Sequence, residues 1–159
     1  MRGFKGATPL GRLELGGRFV YTAFLAFTAG GLLSAALLHG DGMGTSAATA
    51  AAWWRGDESQ MTYPKSYRQL LELSHFHLFT EPVSFLVVAH LYHLGGDPLR
   101  RRVMVTAVTL LAMALQLALP WAVTYGSAGF AVLLIPCHAA LLGGILYMSL
   151  RAVWDMWWG

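Results

Sequence analysis

The chain has 159 residues, of which 56% are hydrophobic and only 12% are charged. This composition excludes an ordinary soluble domain of this size and indicates a protein in contact with the lipid bilayer. We attribute the formal net charge of +3 to membrane orientation and not to nucleic-acid binding. The single cysteine, Cys137, excludes a disulfide framework, and no C-x-x-C-H motif for covalently attached haem occurs.

Four apolar stretches are each long enough to cross a bilayer as a helix. They cover residues 19–39, 70–94, 103–123 and 128–150, and we call them spans 1 to 4. Alternating segments typical of a transmembrane barrel do not occur, so the sequence predicts an all-α integral membrane four-helix bundle. Residues 1–159 are interpreted as a single transmembrane domain. A cleaved signal peptide is the alternative for span 1, although its apolar stretch exceeds the usual signal core.

The basic residues predict the orientation of these spans. They lie before span 1 (Arg2, Lys5, Arg12, Arg18), between spans 2 and 3 (Arg100, Arg101, Arg102) and after span 4 (Arg151). Because cytoplasmic loops are enriched in Lys and Arg, both termini are predicted to be cytoplasmic, in a bacterial inner membrane. Residues 40–69 then form an outer loop, in which the Ala-rich segment 46–54 predicts a short helix at the membrane interface.

Span 2 carries an unusual number of ionisable side chains, namely His75, His77, Glu81, His90 and His93. Such side chains are costly at membrane depth and therefore call for a functional explanation. At about 1.5 Å of rise per residue, the first three fall in the outer half of the membrane, whereas His90 and His93 lie near the inner boundary.

Polar side chains from other spans reach the same outer level. They are Gln116 in span 3, His138 in span 4 and, just above them, His39 at the end of span 1. His77 and Glu81 are four residues apart and share one helix face. His75 and His77 are about 200° apart around a regular helix, so they cannot point at the same ion.

Histidines on different transmembrane helices at matched depth are typical of a b-type haem. The iron takes two imidazoles while the apolar macrocycle fits between helices. The candidate axial pairs are His138 with His77, His138 with His75, and His39 with His75. In the inner layer, a second haem would need His90 with Met148, or a partner subunit, so one haem b is expected.

The stretch SHFHLFTEPVSFLVVAHLYHL, residues 74–94, resembles the haem-bearing helices of small four-helix bacterial membrane cytochromes b. The resemblance covers one helix and is carried by the transmembrane H-x-H-L and the later histidines. It implies electron transfer between the quinone pool and a redox partner, such as a periplasmic protein or a larger redox complex. The chain departs from the usual pattern of two well-separated histidines on each of two helices, which weighs against a two-haem path.

The cytochrome hypothesis assigns roles to further residues. Glu81 would exchange protons with quinol or quinone, because a membrane disfavours the charged form of a carboxyl. The span 2 histidine that does not bind iron would hydrogen-bond a quinone carbonyl. At the outer mouth Arg55, Lys65 and Arg68 are candidates for contacts with haem propionates or an anionic partner, and their alternative is a solvated charge.

Two alternatives to the cytochrome hypothesis remain open. The first is a non-haem site for copper, zinc or iron. Its ligands would be His75, His77, Glu81 and His138. The second is a non-catalytic anchor or assembly subunit of a larger redox complex, in which polar side chains hold helices together.

Overall fold

A computed structural model of the chain describes residues 9–159, so Arg2 and Lys5 of the orientation argument lie outside the described residues. Within residues 9–159 the structure is helical and contains no strand, which confirms the predicted all-α class. Its five α-helices are α1 (Leu15–Met43), α2 (Ala47–Arg55), α3 (Tyr67–His93), α4 (Leu99–Trp121) and α5 (Leu134–Trp157).

Three segments of the described chain are long and apolar enough to cross a membrane. They are Leu15–Met43, Leu99–Gly126 and Ala128–Trp157, which contain the predicted spans 1, 3 and 4. The protein is therefore a helical membrane protein. Span 2 is present as α3, which has 27 residues, but its polar side chains lower its hydropathy and it is not among these three segments.

Serine side chains cap the N-termini of two of the helices, α2 and α3. Ser46 accepts a hydrogen bond from the backbone N–H of Thr49, and Ser66 accepts one from that of Gln69. In both cases a side-chain oxygen of the residue three positions later accepts a hydrogen bond from the serine backbone N–H, which completes a capping box. The first box starts α2, so the short helix predicted in the outer loop is confirmed.

The connection between α4 and α5 is also helical. A π-helical turn, Ala122–Gly126, follows α4, and a 3-10 helix, Ala128–Leu133, leads into α5. Regular helix was expected from about residue 128, but α-helical geometry begins only at Leu134. The Arg55 side chain at the end of α2 donates to the Val123 carbonyl at 2.9 Å and so ties the outer loop to this turn.

Helices α3, α4 and α5 form the packed part of the molecule, whereas α1 packs mainly on α5 and α2. Val88 of α3, Thr109 of α4 and Met148 of α5 are fully buried between the three helices. On α1, by contrast, Phe27 is 83% and Leu38 73% exposed. Exposed apolar side chains of this size on a membrane helix are compatible with contact with lipid.

The chain has two pairs of adjacent glycines on long helices, Gly30–Gly31 on α1 and Gly143–Gly144 on α5, and their surroundings differ. A Cβ added at Gly144 of α5 would overlap the Thr109 side chain of α4, so this glycine permits the close approach of the two helices. Nothing lies within 4 Å of a Cβ added at Gly143, nor of one added at Gly30 or Gly31 on α1. The two α1 glycines therefore leave open space and do not serve close packing within the described chain.

A buried carboxylate organises the end of the molecule where α3 meets α4. Asp97 is 5% exposed, and its Oδ2 accepts hydrogen bonds from the Tyr92 and Tyr147 hydroxyls, both at 2.9 Å. Its Oδ1 lies 3.1 Å from Arg151 Nη2 and 3.6 Å from Arg101 Nη1. Burial by itself raises the pKa of Asp97, but the two hydroxyls and the two guanidinium groups outweigh burial and lower that pKa below its usual value.

We expect Gly144→Ala to destabilise the protein by about 1–3 kcal/mol, because the added methyl group overpacks the α4–α5 contact. Gly143→Ala is the matched control on the same helix, where the methyl group meets open space and higher helix propensity makes the change neutral or slightly stabilising. Thermal unfolding of the detergent-purified variants measures the difference. Equal melting temperatures for the two variants would contradict the packing described for Gly144.

The lowered pKa of Asp97 predicts a stability that falls in acid. Because the folded-state pKa lies below the unfolded value, the stabilisation is present above about pH 4 and is lost as the pH falls through the folded pKa. Asp97→Asn should lower the free energy of unfolding at neutral pH and flatten its decrease in acid. The control Asp41→Asn, at an exposed position, should do neither. Unfolding measured between pH 7 and pH 3 tests this, and the same acid slope in Asp97→Asn and the unchanged protein would contradict it.

Candidate functional site

The candidate site begins with a hydrogen-bonded group that joins α3 to α4. His77 Nδ1 lies 2.6 Å from Glu81 Oε1, and Gln116 Nε2 donates to the same carboxylate oxygen at 2.8 Å. The predicted shared face of His77 and Glu81 is therefore confirmed. The Gln116 side chain, expected at the same level from span 3, is buried and completes this group.

Two further histidines are held by their own helices. His138 Nδ1 lies 2.8 Å from the Leu134 carbonyl, and His39 Nδ1 lies 2.8 Å from the Ala35 carbonyl. A carbonyl only accepts, so Nδ1 carries the proton in both rings and, in the neutral ring, Nε2 carries the lone pair. The centroids of the two imidazole rings are 4.6 Å apart, which places the outer end of α1 beside α5.

One cavity of about 270 Å³ lies between α1, α3 and α5. The polar side chains that line it are those of His39, Thr45, His77, Glu81, Gln116 and His138, and its other walls are mostly apolar. The structure therefore brings together the outer polar group that the sequence predicted from depth and helical phase. His39, expected just above this group, belongs to it.

Two buried atoms at this cavity have no hydrogen-bond partner in the part of the chain that the structure describes. They are His138 Nε2 and Glu81 Oε2. An unpartnered buried polar atom costs about 1–3 kcal/mol. Both atoms belong to side chains that line the same cavity, and each calls for an explanation, such as a bound ligand or water.

A second cavity, of about 450 Å³, occupies the gap between α1 and α3 next to the first one. Both cavities are lined by His77 and Glu81, and Gly31 and Phe76 add to the walls of the second. The open space at Gly31 is part of this gap. The polar group is therefore continuous with a larger apolar space on the α1 side.

His75 lies on a different face of α3 from His77. Its side chain is exposed and its ring packs against Phe79, with 4.9 Å between the centroids. The structure does not bring His75 to the cavity, so the proposed pairs of His75 with His138 and with His39 are not assembled. The physical reason is the helical phase of about 200° between residues two apart.

The inner-layer candidates are also separate. His90 is exposed, whereas Met148 is fully buried and its Sδ lies 3.9 Å from Thr106 Oγ1. The same Thr106 hydroxyl lies 2.9 Å from His93 Nε2. The proposed His90 and Met148 pair is therefore not assembled, and Met148 and His93 take part in a contact between helices.

The three outer basic residues do not line the cavity that the histidines share. Arg68 pairs with Glu72 at 2.8 Å on an exposed helix face. Arg55 binds carbonyls of the turn after α4, and the Lys65 ammonium lies 3.9 Å from the centroid of the Trp53 ring. Their roles toward propionates or an anionic partner stay predictions.

No group of three or more His, Cys, Asp or Glu side chains within residues 9–159 is placed to hold a metal ion. The four-ligand non-haem site proposed from His75, His77, Glu81 and His138 is therefore not assembled. The reason is again helical phase, because His75 is exposed on a different face of α3 from His77.

Sequence reasoning missed two residues that the structure makes prominent. Trp54 is 5% exposed and lines a cavity together with His39. The Asp97 carboxylate is bound by four side chains. A signal for Asp97 was available in the basic residue four positions later, Arg101, and in the aromatic hydroxyl of Tyr92.

The apolar helical segments and the polar group enclosed between them define an integral membrane protein of helical type. Comparison with protein families matches residues 44–159 to the family Aq_1264_TM, a transmembrane helical domain. The chain therefore belongs to this transmembrane helical domain family. The match covers α2 to α5 and begins just after α1, so His39 lies before it. Comparisons with curated proteins and with solved structures gave no match.

Proposed function

We propose that the protein is a membrane-integral b-type cytochrome that passes electrons between the quinone pool and a redox partner. One haem b would be held by His77 of α3 and His138 of α5, beside α1. The single observation that carries the proposal is the hydrogen bonding of these imidazoles, whose side chains line the shared cavity. His138 Nε2 is buried and unpartnered among the described residues, while its Nδ1 is bound to a carbonyl.

The donor set fits a haem iron. A histidine that ligates a metal almost always donates its other ring N–H to a carboxylate or a backbone carbonyl, which fixes the ring and its tautomer. His138 uses the Leu134 carbonyl in this way, and His77 uses Glu81. Both rings thus keep Nε2 for a ligand, and they come from two different helices.

The space also supports a flat apolar group. The two adjoining cavities, of about 270 and 450 Å³, extend from the histidines into the gap between α1 and α3. The centroids of the His39 and His138 rings are 4.6 Å apart, which leaves too little room for a metal ion between the two rings. This spacing favours His77 as the second ligand and leaves His39 as a neighbour. Bound haem would supply one-electron transfer.

Glu81 is the residue that we assign to proton exchange. His77 and Gln116 hold its Oε1, so the carboxyl has a fixed orientation. Its Oε2 is buried and has no partner among the described residues. Oxidation of a quinol releases protons, and Glu81 is the carboxyl among the residues that line the shared cavity.

The proposal includes four membrane spans, with α3 as the second and both termini cytoplasmic, in a bacterial inner membrane. An even number of spans is supported by contacts between the two ends of the described chain. The Arg18 guanidinium lies 6.0 Å from the centroid of the Trp157 ring, and Trp157 Nε1 donates to Thr22 Oγ1 at 3.0 Å. These contacts support a placement of the start of α1 and the end of α5 on the same side of the bilayer.

Purification of the full chain, followed by a reduced-minus-oxidised visible spectrum, tests the proposal. We expect a haem b alpha band that is lost in His77→Ala and in His138→Ala. His75→Ala is the matched control, because His75 is two residues from His77 on an exposed face, and this variant should keep the full band. His138→Met should retain haem with a shifted potential, since methionine is also an axial ligand.

Two results would overturn the proposal. One is the absence of Soret absorption in the unchanged protein purified from haem-sufficient cells. The other is loss of the band in His75→Ala together with its retention in His77→Ala. Metal analysis of the same samples distinguishes the alternatives, since stoichiometric copper or zinc without haem would support a metal-binding protein, and neither metal nor haem would support an anchor or assembly subunit.

A further inference from the structure

Three segments that are distant in sequence meet at the end of the molecule where α3 joins α4. They meet around Asp155 of α5, whose Oδ2 accepts a hydrogen bond from the Gly96 N–H at 2.9 Å. A Cβ added at Gly11 would lie 3.4 Å from the Asp155 backbone carbonyl oxygen. The start of the described chain, the turn before α4 and the end of α5 therefore share one surface.

Arginines outnumber acidic residues at this end of the molecule. The acids are Glu14, Asp97 and Asp155, and the arginines are Arg12, Arg18, Arg100, Arg101, Arg102 and Arg151. The two aspartates are engaged inside the protein, Asp97 by hydroxyls and guanidinium groups and Asp155 by the Gly96 N–H and Arg151. This end of the molecule therefore has a net positive charge.

Some of these arginines are used within the protein and others face its surroundings. Arg18 and Arg102 donate to backbone carbonyls close to them in sequence. Arg12 and Arg100 are exposed, and neither forms an ion pair with a side chain of residues 9–159. Arg101, whose side chain is 55% exposed, reaches its carboxylate partner only at 3.6 Å. These last three arginines can bind an external anion, and we call them the basic surface.

Exposed side chains beside the basic surface indicate its depth in the membrane. Val103 and Met104, which follow the arginines on α4, are both more than half exposed, as expected for contact with lipid. Trp154 and Trp158, one turn apart near the end of α5, are also more than half exposed, and their ring centroids are 5.3 Å apart. Tryptophan is enriched at the interface between membrane and water. These neighbours place the basic surface at the level of the lipid phosphate groups.

We infer that the basic surface binds the headgroups of anionic phospholipids. A guanidinium group donates two parallel hydrogen bonds to a phosphate, and such charge-assisted bonds are stronger than neutral ones. A headgroup with a net negative charge is favoured over a zwitterionic headgroup, because the latter carries a cation of its own next to the phosphate. Basic residues beside a membrane helix attract anionic lipids in this way.

The apolar neighbours of the arginines favour a lipid over a soluble anion. Met104 is about 6 Å from Arg100 along the helix axis, so a lipid whose phosphate binds Arg100 can lay its acyl chains against the exposed side chains of Val103 and Met104. A soluble anion gains only the charge-assisted hydrogen bonds. The inference concerns the surface of the folded chain and is independent of the proposed haem.

Native mass spectrometry of the full-length protein, titrated with phosphatidylglycerol or with phosphatidylcholine of the same acyl chains, tests the inference. We expect tighter binding of phosphatidylglycerol, which Arg100→Gln weakens about fivefold, the effect of one arginine near an anionic membrane surface. Arg100→Lys keeps the positive charge and should retain most of the affinity. Arg68→Gln is the matched control, because it removes the same charge from an exposed arginine near the other end of α3, and it should bind as the unchanged protein does.

Equal affinity of the unchanged protein for the two lipids would overturn the inference and would leave the basic surface to an acidic partner protein. The same loss of phosphatidylglycerol binding in Arg100→Gln and Arg68→Gln would also overturn it, because the preference would then reflect net charge and not this surface. Thermal melting of each variant controls for folding. Phosphatidylcholine binding should be the same in all variants, and a loss of it in parallel with phosphatidylglycerol binding would again contradict recognition of the headgroup.

Discussion

The structure depends on the requirement that a polar side chain in apolar surroundings finds a partner. The Glu81 carboxylate meets this requirement through His77 on its own helix and Gln116 on α4. That group joins α3, which is not among the three segments apolar enough to cross a membrane, to α4, which belongs to one of them. Removal of either partner would leave Glu81 Oε1 with one donor instead of two, so the position of α3 in the bundle and the polarity of the cavity are linked by a single carboxylate.

The requirement is met to different degrees in different parts of the molecule. Asp97 has both carboxylate oxygens occupied by hydroxyls and guanidinium groups, at the turn between α3 and α4. Buried side-chain atoms without a partner among the described residues occur both around the histidines, at Glu81, His138 and Trp54, and at Arg102, Ser149 and Arg151. Each such atom calls for an explanation, such as a bound ligand or water.

Periodicity and depth predicted much of this arrangement from the sequence. The length of apolar runs predicted the helices, and helical phase separated His75 from His77 and paired His77 with Glu81, because these properties depend on local geometry alone. The roles of Trp54 and Asp97 could not be predicted in this way. Each depends on contacts with helices distant in sequence, Trp54 with the end of α1 and Asp97 with Tyr147 and Arg151 of α5.

The contacts between the start of α1 and the end of α5 have a consequence for biosynthesis. Trp157 contacts Phe19 edge to face at 5.6 Å and binds Thr22, and α1 packs mainly on α5 and α2. Because a chain emerges from the ribosome with its N-terminus first, α1 is made before α5, its principal neighbour among the described helices. Until α5 has been made α1 lacks these contacts, so the wall that encloses His39 and His138 is complete only when α5 packs against α1.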